Sequence, residues 1–277
     1  MVSESQSRRR VLGSLVAAGG ALALGTAATP ASAASAPSGT RATVVLVHGV
    51  FADASGWNEV SARLLKAGHD VIAPANPLRD LAQDAQYISS VVATLPGPVI
   101  MVGHSYGGEV ITNSALANPN VKALVYVAAF APDQGETALE LAGRFPGSQL
   151  PGALLTRAYP VPGSSEPGID GYIDPAKFHD AFAQDLPRSL TRVMAVAQRP
   201  GSVGGLGAPS GAPAWKSLPS WYVVAGADRV IPPAAQRFMA ERAGSRVVEV
   251  KGASHVVMMS HPDAVVRQIR AAHRAIR

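Results

Sequence analysis

Ser105 lies in the octapeptide VGHSYGGE (Val102–Glu109), a hydroxyl with glycine on both sides, set directly after an apolar run. A G-x-S-x-G sequence does chemistry when the chain turns sharply there from strand to helix. Small residues let the backbone pass close to itself, and the central side chain is thrown clear of the sheet. Gly103 and Gly107 supply the close approach, and Gly108 lets the helix pack near the preceding strand. A helix start also favours negative charge developing beside the hydroxyl. Ser105 is therefore a candidate nucleophile.

A serine hydroxyl needs a base, and the chain has seven histidines. His48, His69 and His104 lie at or before the nucleophile, and His179 lies in an irregular stretch. In a parallel sheet the reactive groups gather at the carboxyl edge. His255 meets that condition: it follows the apolar run ending at Val250 by five residues. His261, beside Pro262 at a helix entry, reads as a cap or a solvent-facing residue, and His273 as a solvated helix residue. The base in turn needs an anion to fix its tautomer. Asp228, in the loop of VVAGADRVIPP, gives the order nucleophile, acid, base; its other reading is a turn aspartate paired with Arg229. Asp133, after the run ending at Phe130, is the competing acid. Two backbone donors would complete an oxyanion hole: Tyr106 N–H, next to the nucleophile, and Val50 N–H from the loop VHGVFADASGW, with Phe51 as the alternative.

These residues need a frame, and the chain alternates to provide one. TVVLV, DVIAP, PVIMV, KALVYVAAF, SWYVVAG and SRVVEV read as buried strands. Between them lie segments of helical period: SGWNEVSARLLKAGH with Gly68 as its C-cap, LAQDAQYISSVVATL, GEVITNSALA, PAAQRFMAERAG and PDAVVRQIRAAHRAI. Strand and helix in alternation predict an α/β fold with a doubly wound, mostly parallel sheet. From about 134 to 218 the alternation stops. That Pro/Gly-rich stretch, with one helix expected from about Pro175 capped by Asp174, reads as a cap inserted after the strand ending near Phe130.

Composition narrows the function classes. Of 277 residues 47% are hydrophobic and 16% charged, which fits a globular chain. Cysteine is absent, which excludes disulfides, thiol catalysis and cysteine-held zinc. No H-E-x-x-H or EF-hand spacing occurs, so no metal or other cofactor is expected. The basic residues are scattered, so nucleic acid is not an expected partner. At the N-terminus, SRRRVL, a soft Ala/Gly/Leu stretch and an A-x-A site at Ala31-Ser32-Ala33 read as a cleaved twin-arginine-type signal over 1–33. Residues 34–41 would then be a flexible lead-in to one domain spanning 42–277. Without residues 1–33 the chain keeps 21 Lys and Arg against 18 Asp and Glu. The expected location is outside the cytoplasm, with no stable membrane anchor.

The motifs LVHGVF, VGHSYGG, AGADRVIPP and GASHVVMM stand in the order and spacing of the α/β-hydrolase family, which this chain resembles over about 42–134 and 219–276. HGVFADASGWNEVSARLLKAGHDVIAP and LVYVAAFAPD resemble its branch of small methyl-ester esterases and hydroxynitrile lyases. The lyases carry threonine at the position of Gly49 and a lysine soon after the catalytic histidine, where this chain has Val256 and Val257. The resemblance thus implies a serine hydrolase that cleaves small carboxylic esters through an acyl-enzyme on Ser105, His255 and Asp228. A lactonase or perhydrolase on the same triad, or a binding protein that keeps the shell without turnover, are the alternatives. Expected pocket walls are Phe51, Tyr106, Phe130 and Val256, with Tyr172, Phe178 and Phe182 from the cap.

Overall fold

The computed structural model describes residues 41–277. The expected signal, 1–33, and the lead-in as far as residue 40 lie outside the described residues. Over the described residues the chain runs β1 (Thr43–Val47), α1 (Asn58–Lys66), β2 (Asp70–Ile72), α2 (Leu81–Ala93), β3 (Val99–His104), α3 (Tyr106–Ser114) and β4 (Val121–Val127). A long excursion follows: α4 (Ala138–Gly143), α5 (Leu150–Ala153), β5 (Leu154–Tyr159), β6 (Gly168–Ile173), α6 (Phe178–Phe182), α7 (Arg188–Ala197), β7 (Gly201–Ser202) and α8 (Val203–Leu206). The alternation then resumes with β8 (Ser220–Ala225), α9 (Pro233–Arg242), β9 (Arg246–Val250), α10 (Val257–Ser260) and α11 (Pro262–Ala275).

Six strands form one sheet in the order β2-β1-β3-β4-β8-β9, every pair parallel. Every residue of β3 and β8 is buried, because helices cover both faces. Helices α1 and α11 pack together on one face; α2 and α3 pack together on the other. That division follows from right-handed crossovers that step one way for α1 and the other way for α2 and α3. The register matches Val47 to Gly103, His104 to Val127, Val127 to Val223 and Ala225 to Val250. The loops after β1, β3, β4, β8 and β9 therefore open at one common edge.

Local sequence chemistry explains the ends of several elements. Helix α1 stops in a Schellman motif: Gly68 N–H donates to Leu65 O and His69 N–H to Leu64 O, with Gly68 at φ +76°. Helix α2 starts where the Asp80 carboxylate accepts from Gln83 N–H, and α4 starts in a reciprocal capping box between Thr137 and Glu140.

Four expectations need correction. The strand of KALVYVAAF ends at Val127, because Ala128 takes φ 44° and turns the chain; Ala129 and Phe130 are buried but lie outside the ladder. Asp174 and Pro175 begin a turn, with Asp174 Oδ1 accepting from Ala176 N–H and its carbonyl accepting from Lys177 N–H. The helix that follows starts only at Phe178 and breaks at Ala183, and a separate helix runs over Arg188–Ala197. The inserted stretch also carries an antiparallel sheet, β5-β6-β7, absent from the sequence reading. Finally, His273 is 4% exposed and packs edge-on against His69, with ring centroids 4.9 Å apart. The helix that carries it lies on the sheet with its C-terminal turn against the loop after α1.

Candidate active site

Ser105 sits between β3 and α3 with φ 54° and ψ −126°, a conformation L-residues rarely adopt. Several contacts hold it there. Its N–H donates to Val127 O, and its carbonyl accepts from Gly108 N–H and Phe130 N–H. A Cβ at Gly107 would run into the Val47 carbonyl, so only glycine lets α3 cross β1 this closely. The elbow is thus braced by β1, β4 and its own helix, which stabilise the turn against its backbone strain.

The loop after β1 passes directly over Ser105. A Cβ on Gly49 would lie 2.6 Å from Ser105 Cβ and 3.2 Å from its Oγ. His48 aims this loop. Its Nε2 accepts from Asn76 N–H at 2.9 Å, which leaves the proton on Nδ1 to donate to Gly49 O at 2.9 Å. In a trans peptide the N–H points opposite to the carbonyl, so Val50 N–H faces away from His48. Burial holds His48 below the usual imidazole range, which keeps it neutral in this role. Phe51 N–H is already committed to Arg199 O at 2.9 Å. Of the two alternatives, Val50 is therefore the available donor, and Val50 and Tyr106 N–H have no partner among the described residues. The Tyr106 side chain, expected on the pocket wall, instead reaches α2, where its hydroxyl donates to Asp84 Oδ2 at 2.9 Å.

Asp228 and His255 meet at the same edge. His255 Nδ1 and Asp228 Oδ2 are 2.7 Å apart, and both side chains are fully enclosed. Three more donors reach the carboxylate: Val230 N–H and Ile231 N–H on Oδ1, and Gln236 Nε2 on Oδ2 at 2.7 Å. With this many donors converging on it, the carboxylate presents Oδ2 as an acceptor to His255 Nδ1. The His255 proton on Nδ1 follows, which leaves Nε2 as the acceptor, and Nε2 is buried with no partner among the described residues. His104 links base to elbow: its Nε2 hydrogen-bonds the His255 carbonyl at 2.9 Å, and the two rings lie 4.7 Å apart. Burial, with the neighbouring His255 imidazole next in weight, holds His104 well below the ordinary imidazole range, so it acts as a neutral donor. No hydrogen bond joins Ser105 Oγ to His255 Nε2 in this structure; such contacts often tighten only once substrate is bound.

The rival acid is occupied elsewhere. Asp133 pairs with Lys216 Nζ at 2.6 Å near the surface, and that bond lowers its pKa. His261 is exposed at the start of α11. Among the expected wall residues, Phe182 packs against the His255 ring at 5.1 Å, Phe51 meets Phe182 edge-on at 6.2 Å, and Phe178 lies behind Phe182 at 5.0 Å. Phe130 is buried, with its N–H on the Ser105 carbonyl, and Val256 is buried next to His255 in the chain. Tyr172 is not grouped with them; it is half-buried beneath the Arg157 guanidinium at 4.9 Å.

Gln236 joins the site as a residue outside the motifs. Its carboxamide satisfies Asp228 through Nε2 and Ala225 N–H through Oε1. A signal exists: Gln236 shares a helical stripe with buried Met239 and Ala240, a polar group where an apolar one is expected.

A parallel sheet wound on both sides, with a strained serine elbow on a central strand, defines a protein of the α/β-hydrolase class. The chain belongs to the alpha/beta hydrolase family, whose model matches residues 44–268. A carbendazim-hydrolysing esterase of Nocardioides sp. (strain SG-4G) is 32% identical over 56% of this chain and 64% of its own length. Methylesterase 1 of Arabidopsis thaliana is 26% identical over 79% of this chain and 90% of its own. An alpha-hydroxynitrile lyase of the same plant is 26% identical over 82% and 95%.

One buried group beside the elbow serves none of this. Glu109, in the first turn of α3, is fully buried, and neither carboxylate oxygen has a partner among the described residues. Burial raises its pKa well above 4.5. An acid with a raised folded pKa contributes its full stability below the unfolded value and loses it as pH rises towards the folded one. Glu109→Gln removes that loss. Its thermal midpoint should match wild type near pH 4.5 and exceed it by a few degrees at pH 8, at about 2–4 °C per kcal/mol for a domain of this size. Melting curves at the two pH values check this; an equal offset at both would show that Glu109 keeps one protonation state.

Proposed function

We propose that this protein is a serine esterase acting on small carboxylic esters. The observation that carries the reading is the enclosed His255–Asp228 pair, with an unpartnered Nε2, at the same sheet edge as the strained Ser105. In this reading Ser105 Oγ attacks the ester carbonyl while His255 Nε2 takes its proton. Val50 and Tyr106 N–H stabilise the negative charge that develops on the carbonyl oxygen. The imidazolium then protonates the departing alcohol and an acyl-enzyme remains. Water attacks that ester, His255 takes the water's proton and returns it to Ser105, and the carboxylic acid leaves. Asp228 stays ionised throughout and holds the ring in its working tautomer.

Ester cleavage is favoured over cyanohydrin cleavage by two features. Val256 and Val257, which follow the base, are both fully buried and apolar, so they offer no cation for a departing cyanide. At position 49 a side chain would collide with Ser105, so there is no room for a substrate-binding hydroxyl there. The names of the esterase relatives agree with this reading. Phe51, Phe182 and Val256 give the site an apolar character that suits a modest acyl or alkyl group.

A series of p-nitrophenyl esters of graded acyl length tests it. Rapid mixing should show a burst of nitrophenol close to one equivalent of enzyme, or steady turnover where deacylation is fast, with the short esters best. Mandelonitrile should release no cyanide. Cyanide release without ester turnover would replace the esterase reading by a lyase.

A further inference from the structure

Resting on the esterase reading, we propose that two consecutive cap residues, Gln184 and Asp185, are positioning residues that hold the acid and the base in register. They follow the break in α6 at Ala183, and their side chains reach the loops after β8 and β9. Gln184 Nε2 donates to Ala227 O at 2.7 Å, and Ala227 is the residue before Asp228. Asp185 Oδ2 accepts from Ser254 N–H at 2.9 Å, and Ser254 is the residue before His255. The two loops are themselves joined by Ala227 N–H donating to Ala253 O at 2.9 Å. The cap thus adds one tether to each loop, closing a ring through Gln184, Ala227, Ala253, Ser254 and Asp185.

The neighbouring contacts point the same way. Phe182 covers the His255 ring, and the Arg229 guanidinium, next to Asp228, donates to Asp180 O at 2.9 Å. Gln149 N–H donates to Arg229 O at 2.7 Å, so a second cap segment holds the acid loop from its other side. Asp185 also lies 3.9 Å from His261 Nδ1. Gln184 Oε1 and Asp185 Oδ1 are buried with no partner among the described residues, an arrangement that costs stability. Each of these two side chains makes a single hydrogen bond, and in both cases it goes to a loop that carries the acid or the base.

The test uses the full chain and a p-nitrophenyl ester. Gln184→Ala and Asp185→Ala should each lower kcat by about 10- to 100-fold, the scale of a small misplacement of reacting groups, with KM changed less than about threefold. Asp185→Asn keeps an oxygen that can accept from Ser254 N–H, so it should recover most of the kcat lost in Asp185→Ala. The proton resonance of the His255–Asp228 hydrogen bond gives a readout independent of turnover. It should broaden in Asp185→Ala and sharpen again in Asp185→Asn. Unchanged kcat in both alanine variants, or an Asp185→Asn enzyme as slow as Asp185→Ala, would overturn the proposal. Ser105→Ala separates it from the esterase reading: if that variant retains turnover, the reading itself fails, whereas a dead Ser105→Ala beside fully active 184 and 185 variants removes only the tethers.

Discussion

Ser105→Ala should abolish ester turnover, by about 10⁴-fold or more, while leaving the thermal midpoint within a degree or two of wild type. Alanine keeps the Cβ and so keeps the backbone at φ 54°, held by the same bonds to Val127, Gly108 and Phe130. Only Oγ is lost, and the neighbouring hydroxyl, that of Tyr106, is committed to Asp84 Oδ2. The residual rate should be what the two unpaired N–H groups at Val50 and Tyr106 supply by polarising a bound carbonyl. Steady-state rates with purified protein, together with the absence of a burst, measure the effect. A variant that kept a tenth of wild-type turnover would place the nucleophile elsewhere.

The second large effect belongs to the acid. Asp228→Asn should lower kcat by about 10³- to 10⁴-fold, because an amide presents either an N–H or an uncharged oxygen to His255 Nδ1. With an N–H facing it, the ring is driven to the tautomer with its proton on Nε2, which can no longer take the Ser105 proton. The substitution also disturbs the Gln236 carboxamide, which donates to the same oxygen at 2.7 Å. Gln236→Leu would leave Ala225 N–H without its acceptor as well, so its loss of stability should exceed its loss of rate. Asp133→Asn, by contrast, should change kcat less than about threefold, since it breaks one exposed ion pair with Lys216. The reverse ranking of Asp228→Asn and Asp133→Asn would move the acid to the strand before the cap.

The parallel sheet was readable from the chain because buried strands in such a sheet are continuous apolar runs, and TVVLV, PVIMV and SWYVVAG can be little else. Ser105 was readable for a related reason: the elbow demands glycine at fixed offsets, and Gly107 meets that demand against the β1 carbonyls. The inner sheet of the cap was not readable. Strand β5 exposes four of its six residues, and β6 carries glycine at positions 168 and 171, so neither shows an apolar alternation. Their pairing is made by long-range contacts that leave no local pattern. His273 leaves no local sign of its burial, because the group it packs against, His69, lies 204 positions away in the chain. Gln184 and Asp185 look like ordinary loop residues in sequence; their reach to Ala227 and Ser254 exists only once the cap folds over the sheet.

The bond from Phe51 N–H to Arg199 O, together with Gly201 packed so tightly on Val50 that a Cβ there would strike its side chain, has a practical consequence for redesign. Exchanging the whole insertion for one from another enzyme is an obvious way to change which esters are accepted. Such a graft would carry away the acceptor that occupies Phe51 N–H, and two neighbouring amides would then compete for one carbonyl oxygen. A workable crossover must therefore fall before Arg199, so that Arg199 to Ser202 travel with the sheet rather than with the donor cap. The chimeras that ignore this boundary should bind new esters yet turn them over slowly.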